Sequence, residues 1–260
     1  MENLQKQITA WAEKYVPKFN ELSKKYETSY YTQSPLSVVC DSVELMVVGI
    51  NPKGDSIYPK GKELTYEEFL NGNPCWKGRF QEDGSIHPAW GKDSRFLPDA
   101  RFFLGYGKNY SSDDIDSDKK TIWTNLSPFV SPQGSKDLPK ELVQAGVIST
   151  IDLIKIVKPQ RIVLLGKGAL EMIKSSMEDT KNISYMQVFE NVNYLIGHVY
   201  EIPTVNVCHP SSRNWSVSNG FTSVFVFLHK LATDKFKSNL KNVADYMRKE
   251  MIAYQTKVKI

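Results

Sequence analysis

Apolar residues recur along this chain with two different spacings. Four short apolar runs bounded by polar turns are typical of buried β-strands, and we predict strands at 44–49, 121–126, 161–166 and 203–208. Apolar residues three to four positions apart predict helices at 1–27, 65–70, 138–157, 167–178, 220–235 and 238–254. The segment 185–202 alternates apolar and polar residues, as a β-hairpin does. Strands separated by helical stretches predict an α/β fold, with a parallel sheet and helices on both of its faces.

The chain contains no linker, internal repeat or low-complexity segment, so we predict a single domain over residues 1–260. Within it, residues 1–40 form an N-terminal helical extension, and 233–260 form a C-terminal helix with a basic tail. Pro17 should kink or split the first helix, because proline lacks the N–H that a helix interior requires. Residues 50–120 form a long aromatic loop region, and a loop of this length is usually functional or has structure of its own.

The composition is that of a soluble globular protein, with 41% apolar and 24% charged residues. No apolar run approaches the roughly 18 residues of a membrane span, and the charged N-terminus lacks the apolar core of a signal peptide. We therefore predict a cytoplasmic protein without membrane association. The net charge of +4 permits nucleic-acid binding without requiring it.

Cysteine and histidine spacing gives no sign of a metal site. The 3 cysteines lie far apart, which argues against a disulfide framework, a zinc ribbon and an iron–sulfur cluster. His87, His198 and His229 lack metal-ligand spacing relative to each other. We expect no metal and no cofactor.

Three of the predicted strands end in a polar turn that contains proline. The turns are Gly49-Ile50-Asn51-Pro52, Asn125-Leu126-Ser127-Pro128 and His209-Pro210-Ser211-Ser212. In an open parallel sheet, ligands bind beyond the carboxyl ends of the strands, so we expect Asn51, Asn125 and His209 to face one crevice. Such a crevice suits a planar, hydrogen-bonding ligand such as a nucleobase.

The two asparagines of these turns carry separate hypotheses. Gly49 allows close backbone approach, and Pro52 restricts Asn51 to an extended backbone. The neutral amide of Asn51 could orient a water molecule without taking its proton, or it could bond its own backbone in a local turn. Asn125 offers one acceptor and two donors. These groups match the pairing edge of uracil, and the alternative is a buried asparagine that caps a turn.

His209 follows a buried strand and precedes a loop rich in groups that bind phosphate. A lone histidine is more often structural than catalytic. The loop, however, contains four side chains that donate to phosphate oxygens, namely Ser211, Ser212, Arg213 and Asn214. Trp215, the next residue, could wedge into a base stack or pack against the protein. Lys53, in the first turn, is a further candidate DNA contact.

Together the three turns resemble those of the uracil-DNA glycosylase superfamily. Gly-Ile-Asn-Pro at 49–52 resembles the first catalytic motif of the mismatch-specific and single-strand-selective monofunctional branches. His-Pro-Ser-Ser-Arg-Asn at 209–214 is similar to the last motif of the single-strand-selective branch, and Asn125 falls where that family places its base-reading asparagine. The resemblance covers about residues 44–232 in the expected motif order. It departs from the family pattern at Lys53, where glycine is usual, and at Ser212, where proline is usual.

The resemblance implies a three-layer α/β/α fold with a short central four-stranded parallel sheet. It also implies a monofunctional N-glycosylase without metal or cofactor, which flips uracil or a related deaminated base out of DNA. Asn51 would position the attacking water, Asn125 would bind the uracil edge, and His209 would donate to uracil O2 as negative charge develops there.

The remaining site residues follow from the same resemblance. The base site would be lined by Gly49, Ile50 and Pro52. The DNA would be contacted by Lys53, Ser211, Ser212, Arg213, Asn214 and Trp215. The aromatic residue that stacks on the base could be Tyr58, Phe69 or Phe80.

Three functions remain open from the sequence. The first is a monomeric DNA glycosylase of base excision repair, which the presence of both Asn51 and His209 favours. The second is a non-catalytic member of the same superfamily that binds nucleic acid or a nucleotide, favoured by the unusual loop and the modest basicity. The third is an unrelated hydrolase that uses His209, although no nucleophile or carboxylate lies beside it in the sequence.

Overall fold

The fold is described from a computed structural model of the 260-residue chain. The structure describes residues 2–52, 58–72, 79–80, 86–87, 120–131, 137–177, 180–190, 192–209, 215–237 and 239–258. The predicted DNA contacts that lie outside these residues are Lys53, Ser211, Ser212, Arg213 and Asn214. The side chains of Phe80 and Trp215 and most of the loop region 50–120 also lie outside them.

Helices and strands alternate along most of the chain. In chain order they are α1 (Glu2–Lys25), β1 (Leu45–Gly49), α2 (Tyr66–Leu70), β2 (Arg79–Phe80), β3 (Ile86–His87), β4 (Thr121–Asn125), α3 (Lys140–Val157), β5 (Arg161–Leu165), α4 (Ala169–Ser175), β6 (Ile183–Phe189), β7 (Val192–Val199), β8 (Ile202–Val207), α5 (Trp215–Phe236) and α6 (Leu240–Val258). A short 3₁₀ helix, Thr180–Asn182, precedes β6. Strands β2 and β3 form a small antiparallel pair of their own.

The main sheet contains six strands in the order β4-β1-β5-β8-β7-β6. The four predicted strands form its parallel part, β4-β1-β5-β8. The prediction of a four-stranded parallel sheet is nevertheless wrong, because the predicted hairpin, β6 and β7, joins the same sheet in antiparallel orientation. Strand β7 pairs with the edge of β8, whose backbone N–H and C=O groups would otherwise be left as an open edge.

Helices cover both faces of this sheet. Strand β1 is buried along its whole length, which explains its uninterrupted apolar sequence. Because successive side chains of a strand point to opposite faces, Met46 and Val48 pack in the core with α1, α3 and α4. Leu45 and Val47 pack in a second core with α5 and α6.

Helix α1 is continuous over its 24 residues, so Pro17 does not split it as predicted. Its apolar face packs on α3, and Ile8 and Phe19 are fully buried there. The indole N–H of Trp11 donates to the Ser149 carbonyl of α3 at 2.8 Å. Tertiary packing on both sides of the proline therefore holds the helix in one piece.

Helix α5 begins at Trp215 rather than near residue 220. Trp215 thus starts a helix, whereas the sequence suggested that it lies in a polar loop. Serine, asparagine and glycine residues between 216 and 220 disfavour helix when considered alone, which is why the pattern predicted a later start.

Candidate functional site

The carboxyl ends of the parallel strands bring the three predicted polar residues to one edge of the sheet. Asn125 is the last residue of β4, Asn51 lies two residues beyond β1, and His209 lies two residues beyond β8. Neighbouring strands lie about 4.8 Å apart, so the adjacent strands β4 and β1 place the two asparagines side by side. Strand β5 separates β1 from β8, so His209 follows a strand whose axis is roughly 10 Å from that of β1.

Backbone hydrogen bonds join the first two turns beyond the strand ends. The N–H of Leu126 donates to the Gly49 carbonyl, and the N–H of Ser127 donates to the Ile50 carbonyl, each at 2.8 Å. The sheet ladder therefore continues into both turns, and the backbone that carries Asn51 and Asn125 is held as one unit.

Asn125 is buried, with 6% of its surface exposed, and its side chain lies against Gly49. Gly49 is its register partner on β1. A Cβ at position 49 would overlap with Asn125 Oδ1, so only glycine leaves room for this amide. The Nδ2 atom is buried and donates to no group in the described part of the chain, so it does not cap a turn there. A buried donor without a partner is unfavourable by about 1–3 kcal/mol, unless a ligand or water accepts its hydrogen bond.

Asn51 is half-buried, and its amide makes a bond to the neighbouring backbone. Its Nδ2 donates to the Pro52 carbonyl at 2.8 Å. The same carbonyl accepts the N–H of Ser131 at 3.2 Å. This bond fixes the plane of the Asn51 amide, and its Oδ1 remains the group that can accept a hydrogen bond from water.

His209 is a neutral imidazole in this environment. Burial lowers its pKa to about 4, well below the ordinary value of 6.5. A neutral imidazole has one N–H donor and one acceptor nitrogen. At neutral pH, His209 can therefore donate a hydrogen bond without bringing a full positive charge to the site.

Cys208 precedes His209 and is not an activated nucleophile. Burial raises the pKa of its thiol, and the opposing effect of Lys167 is smaller. A protonated thiol attacks substrates poorly, which weakens the case for an unrelated hydrolase. Lys167 itself is exposed in the turn after β5, where it adds a positive charge to the same edge of the sheet.

Ile50, which the resemblance places in the base site, packs against the turn after β5. A Cβ at Gly166 would lie 2.6 Å from Ile50 Cδ1, and Gly166 has a φ of +125° that favours glycine. The Gly166-Lys167-Gly168 segment is thus a tight strand-to-helix turn between β5 and α4. Its first glycine lets the turn of residues 49–52 approach β5.

Sequence reasoning missed Asn206, a polar residue inside the apolar strand β8. Its Nδ2 donates to the carbonyls of Leu164 at 3.2 Å and Gly166 at 2.9 Å, and its Oδ1 accepts the N–H of Leu170 at 3.3 Å. Asn206 thus joins β8, the turn after β5 and α4. An asparagine in a buried strand was the signal that could have identified it, because a buried amide requires partners.

Of the three aromatic residues that could stack on the base, the structure excludes Phe69 and retains Tyr58. Phe69 is 1% exposed and packs among Trp11, Phe19 and Tyr30, so it cannot stack on a ligand. Tyr58 is half-buried, and it lines a cleft of about 710 Å³ together with Val130 and Ser131, which follow the second turn. Its hydroxyl donates to the carbonyls of Glu68 and Gly72, at 3.1 and 3.2 Å, which fixes the ring. Phe80 cannot be compared with it, since the side chain is outside the described part of the chain.

Neither a metal centre nor a membrane span is found in the part of the chain that the structure describes. Those residues contain no group of three or more His, Cys, Asp or Glu side chains that could hold a metal ion. None of the helices, so far as they are described, combines the length and the apolar character needed to cross a membrane.

Similarity to known proteins does not identify the site. No protein-family model matches the chain, and no curated protein matches its sequence.

Proposed function

We propose that this protein is a monofunctional DNA glycosylase that hydrolyses the N-glycosidic bond of uracil, or of a related deaminated base, in DNA. The observation that carries the proposal is the buried Asn125 amide, whose Nδ2 has no acceptor among the described residues, at the same edge as Asn51 and a neutral His209. The proposal extends the resemblance to the uracil-DNA glycosylase superfamily, and we place the protein in base excision repair as a cytoplasmic monomer.

Asn125 is the proposed base reader. Uracil presents a carbonyl and an N–H side by side, and a side-chain amide presents the complementary donor and acceptor. Cytosine has an amino group in place of the O4 carbonyl, so Asn125 Nδ2 would face a second donor. A buried donor left unpaired disfavours the wrong base, so the site selects uracil over cytosine.

Asn51 and His209 are the proposed catalytic residues. As the bond between the base and C1′ breaks, the sugar becomes oxocarbenium-like and the electron pair stays on the departing uracil. Water held by Asn51 Oδ1 attacks C1′, and its proton is lost to solvent. His209 donates its N–H to uracil O2, where the negative charge develops. One such donor is worth about 3–4 kcal/mol of transition-state stabilisation.

Binding of the DNA backbone is assigned to the two loops that flank the site. The first contributes Lys53, and the second contributes Ser211, Ser212, Arg213 and Asn214, with Trp215 following at the start of α5. Lys167, in the turn after β5, adds a positive charge at this edge of the sheet, since β5 lies between β1 and β8.

A second function, binding of a nucleotide or nucleic acid without cleavage, is favoured by one observation. The Asn51 amide nitrogen is bonded to the Pro52 carbonyl, so the first turn is stable without a bound water. In such a binding protein, Asn125 and His209 would hold the base while its glycosidic bond stays intact.

Uracil release from single- and double-stranded oligonucleotides, detected as alkali-cleavable abasic sites, distinguishes these functions. We expect release by the wild-type protein and a loss of at least about 100-fold in His209→Ala and in Asn125→Ala. Asn20→Ala is the control, because its amide bonds Leu64 and Tyr30 and none of Asn51, Asn125 and His209.

Two results would contradict the glycosylase proposal. Unchanged turnover in His209→Ala would remove this residue from the mechanism. Tight binding of uracil-containing DNA without abasic product would establish the non-catalytic function. Thermal unfolding of each variant separates loss of activity from loss of structure.

A further inference from the structure

The face of the sheet that α5 and α6 cover is apolar in its middle and polar at the amino ends of β5 and β8. Its apolar residues include Val163, Leu165, Ile196, Val205 and Val207. Across β5, β8, β7 and β6, the last row on this face consists of Arg161, Pro203, His198 and Ser184, and we call these four residues the polar row. His198 pairs with Pro203 and with Ser184, and the register of β5 and β8, continued by one residue, places Arg161 beside Pro203.

Three buried nitrogen atoms at the polar row lack hydrogen-bond partners among the residues that the structure describes. They are Arg161 Nε, His198 Nε2 and, from the overlying helix α5, His229 Nε2. His198 and His229 are 7% and 2% exposed. Nearly all buried polar groups in proteins are bonded, and the exceptions indicate a ligand, an ion or an ordered water.

A cleft of about 640 Å³ opens beside the polar row. Its lining includes His198 and Ser184 of the row, and Lys181, Asn182, Glu201 and Lys237 around the mouth. Pockets that hold small ligands range from about 300 to 1,000 Å³. The volume is therefore large enough for a mononucleotide or for a short stretch of backbone.

The charges around the cleft favour an anion. Lys181 and Lys237 are positive and Glu201 is negative, so the lining carries an excess of one positive charge. Arg161, a member of the polar row that does not line the cleft, is paired with Asp234. Burial lowers the pKa of His198 and of His229, so both imidazoles are neutral donors rather than additional cations.

We propose that this cleft binds a phosphate group, which lysine ammonium and amide donors from Lys181, Lys237 and Asn182 would surround. The Ser184 hydroxyl lies 3.5 Å from His198 Nδ1 and is paired with it. Phosphate oxygens are strong acceptors, and ionised donors bind them most tightly. The cleft is separate from the candidate active site, because β5 runs for about 16 Å between the two edges of the sheet. A free nucleotide and a nucleic-acid backbone carry the same group, and the experiment distinguishes them.

Histidine NMR provides the test. The chain has 4 histidines, so their C2–H resonances can be assigned by single His→Gln variants. The full-length protein is titrated with inorganic phosphate, with sodium chloride adjusted to hold the ionic strength constant. We expect saturable shifts of the His198 and His229 resonances and no shift of the His209 resonance.

Lys237→Gln is the decisive variant, because it removes one charge from the cleft and leaves a shorter, uncharged polar side chain. We expect it to weaken phosphate binding by about fivefold or more, the equivalent of one exposed charge contact. Lys230→Gln is the matched control, since Lys230 is an exposed lysine on α5, the helix that ends one residue before Lys237, and does not line the cleft. This variant should bind phosphate as the wild-type protein does.

Competition then identifies the source of the phosphate. Displacement by thymidine 5′-monophosphate alone would support a free nucleotide, and displacement by an undamaged single-stranded oligonucleotide would support the nucleic-acid backbone. Phosphate binding that neither ligand displaces would support a smaller phosphorylated compound.

Shifts that do not saturate, or equal weakening in Lys237→Gln and Lys230→Gln, would overturn the proposal. The assay uses undamaged DNA, so its result is independent of the glycosylase proposal.

Discussion

At the scale of single residues, the position of the Asn125 amide depends on the absence of a Cβ at Gly49. The two residues are register partners, and the amide occupies the space that a Cβ would fill. Asn51 shows the opposite case, because its amide is bonded to the Pro52 carbonyl beside it. Of two asparagines at adjacent strand ends, one is fixed by its own turn and the other has a buried donor without a partner among the described residues.

We predict that Gly49→Ala displaces the Asn125 amide. Forcing one methyl group into a packed site typically destabilises a protein by about 1–3 kcal/mol, and we also expect at least tenfold slower uracil release. Urea denaturation and the abasic-site assay measure the two effects. Gly61→Ala is the control, because its φ of +69° strains alanine far from Asn125. Wild-type stability and activity in Gly49→Ala would show that the amide does not need this space.

The sequence identified both asparagines but could not decide between their two alternatives. Whether an amide bonds its own turn is determined by the groups that surround it, and those come from another strand. The neutral state of His209 has the same origin, because burial, which lowers its pKa, is a property of the folded chain. Local sequence therefore predicted which residues form the edge, and tertiary contacts determine their chemical state.

At the scale of elements, helix α3 holds the second turn in place. Gly146 brings the helix backbone close to this turn, and a Cβ there would lie 2.5 Å from Ser127 Cα. One turn later, the Thr150 hydroxyl donates to the carbonyls of Asn125 at 2.9 Å and Leu126 at 3.3 Å. The helix thus contacts the backbone on which Asn125 is carried.

Gly146→Ala should therefore destabilise the protein, contrary to the usual effect. In an exposed helix interior, replacing glycine by alanine stabilises by about 1 kcal/mol. Here the methyl group would push α3 away from the second turn, and we expect a loss of about 1–3 kcal/mol in the free energy of unfolding. Gln144→Ala, an exposed change on the same helix, should stay within about 0.5 kcal/mol of wild type. A stabilised Gly146→Ala protein would disprove the close packing.

The elements that the sequence predicted best are those whose pattern reflects burial on both faces. Strands β1 and β5 are almost entirely apolar, and the predicted positions of all four parallel strands agree with the structure within one residue at each end. The hairpin was predicted, but its attachment to β8 was not, because edge pairing between strands leaves no local pattern. The start of α5 and the continuity of α1 across Pro17 depend in the same way on packing partners distant in sequence.

At the scale of the whole molecule, two buried histidines and one half-buried histidine lie at the two ends of the sheet. His209 follows the carboxyl end of β8, and His198 and His229 lie at the polar row. Burial is the largest cause of a lowered pKa in all three, to about 4 for His209 and about 3 for His229. The folded protein therefore resists protonation that the unfolded chain accepts near pH 6.5.

We predict that the free energy of unfolding falls as the pH falls below about 6.5. Each histidine that is neutral when folded and protonated when unfolded lowers stability by about 1.4 kcal/mol per pH unit. This loss continues until the pH reaches the folded pKa, which is about 4 for His209 and about 3 for His229. Asp152, whose pKa is lowered by its bonds to Lys14 and Tyr15, adds a loss only at lower pH, where its carboxylate is protonated.

Urea denaturation from about pH 7.5 to about pH 5 in chloride buffer measures this dependence. His229→Gln should reduce the dependence of the unfolding free energy on pH by about 1.4 kcal/mol per pH unit, the equivalent of one proton. The reason is that a buried amide does not titrate in this range. An exposed change such as Lys230→Gln should leave the slope unaltered. If wild-type stability were constant between about pH 7 and about pH 5, the histidines would be protonated equally in the folded and unfolded states. Their burial, and with it the neutral His209 that the proposed mechanism requires, would then be wrong.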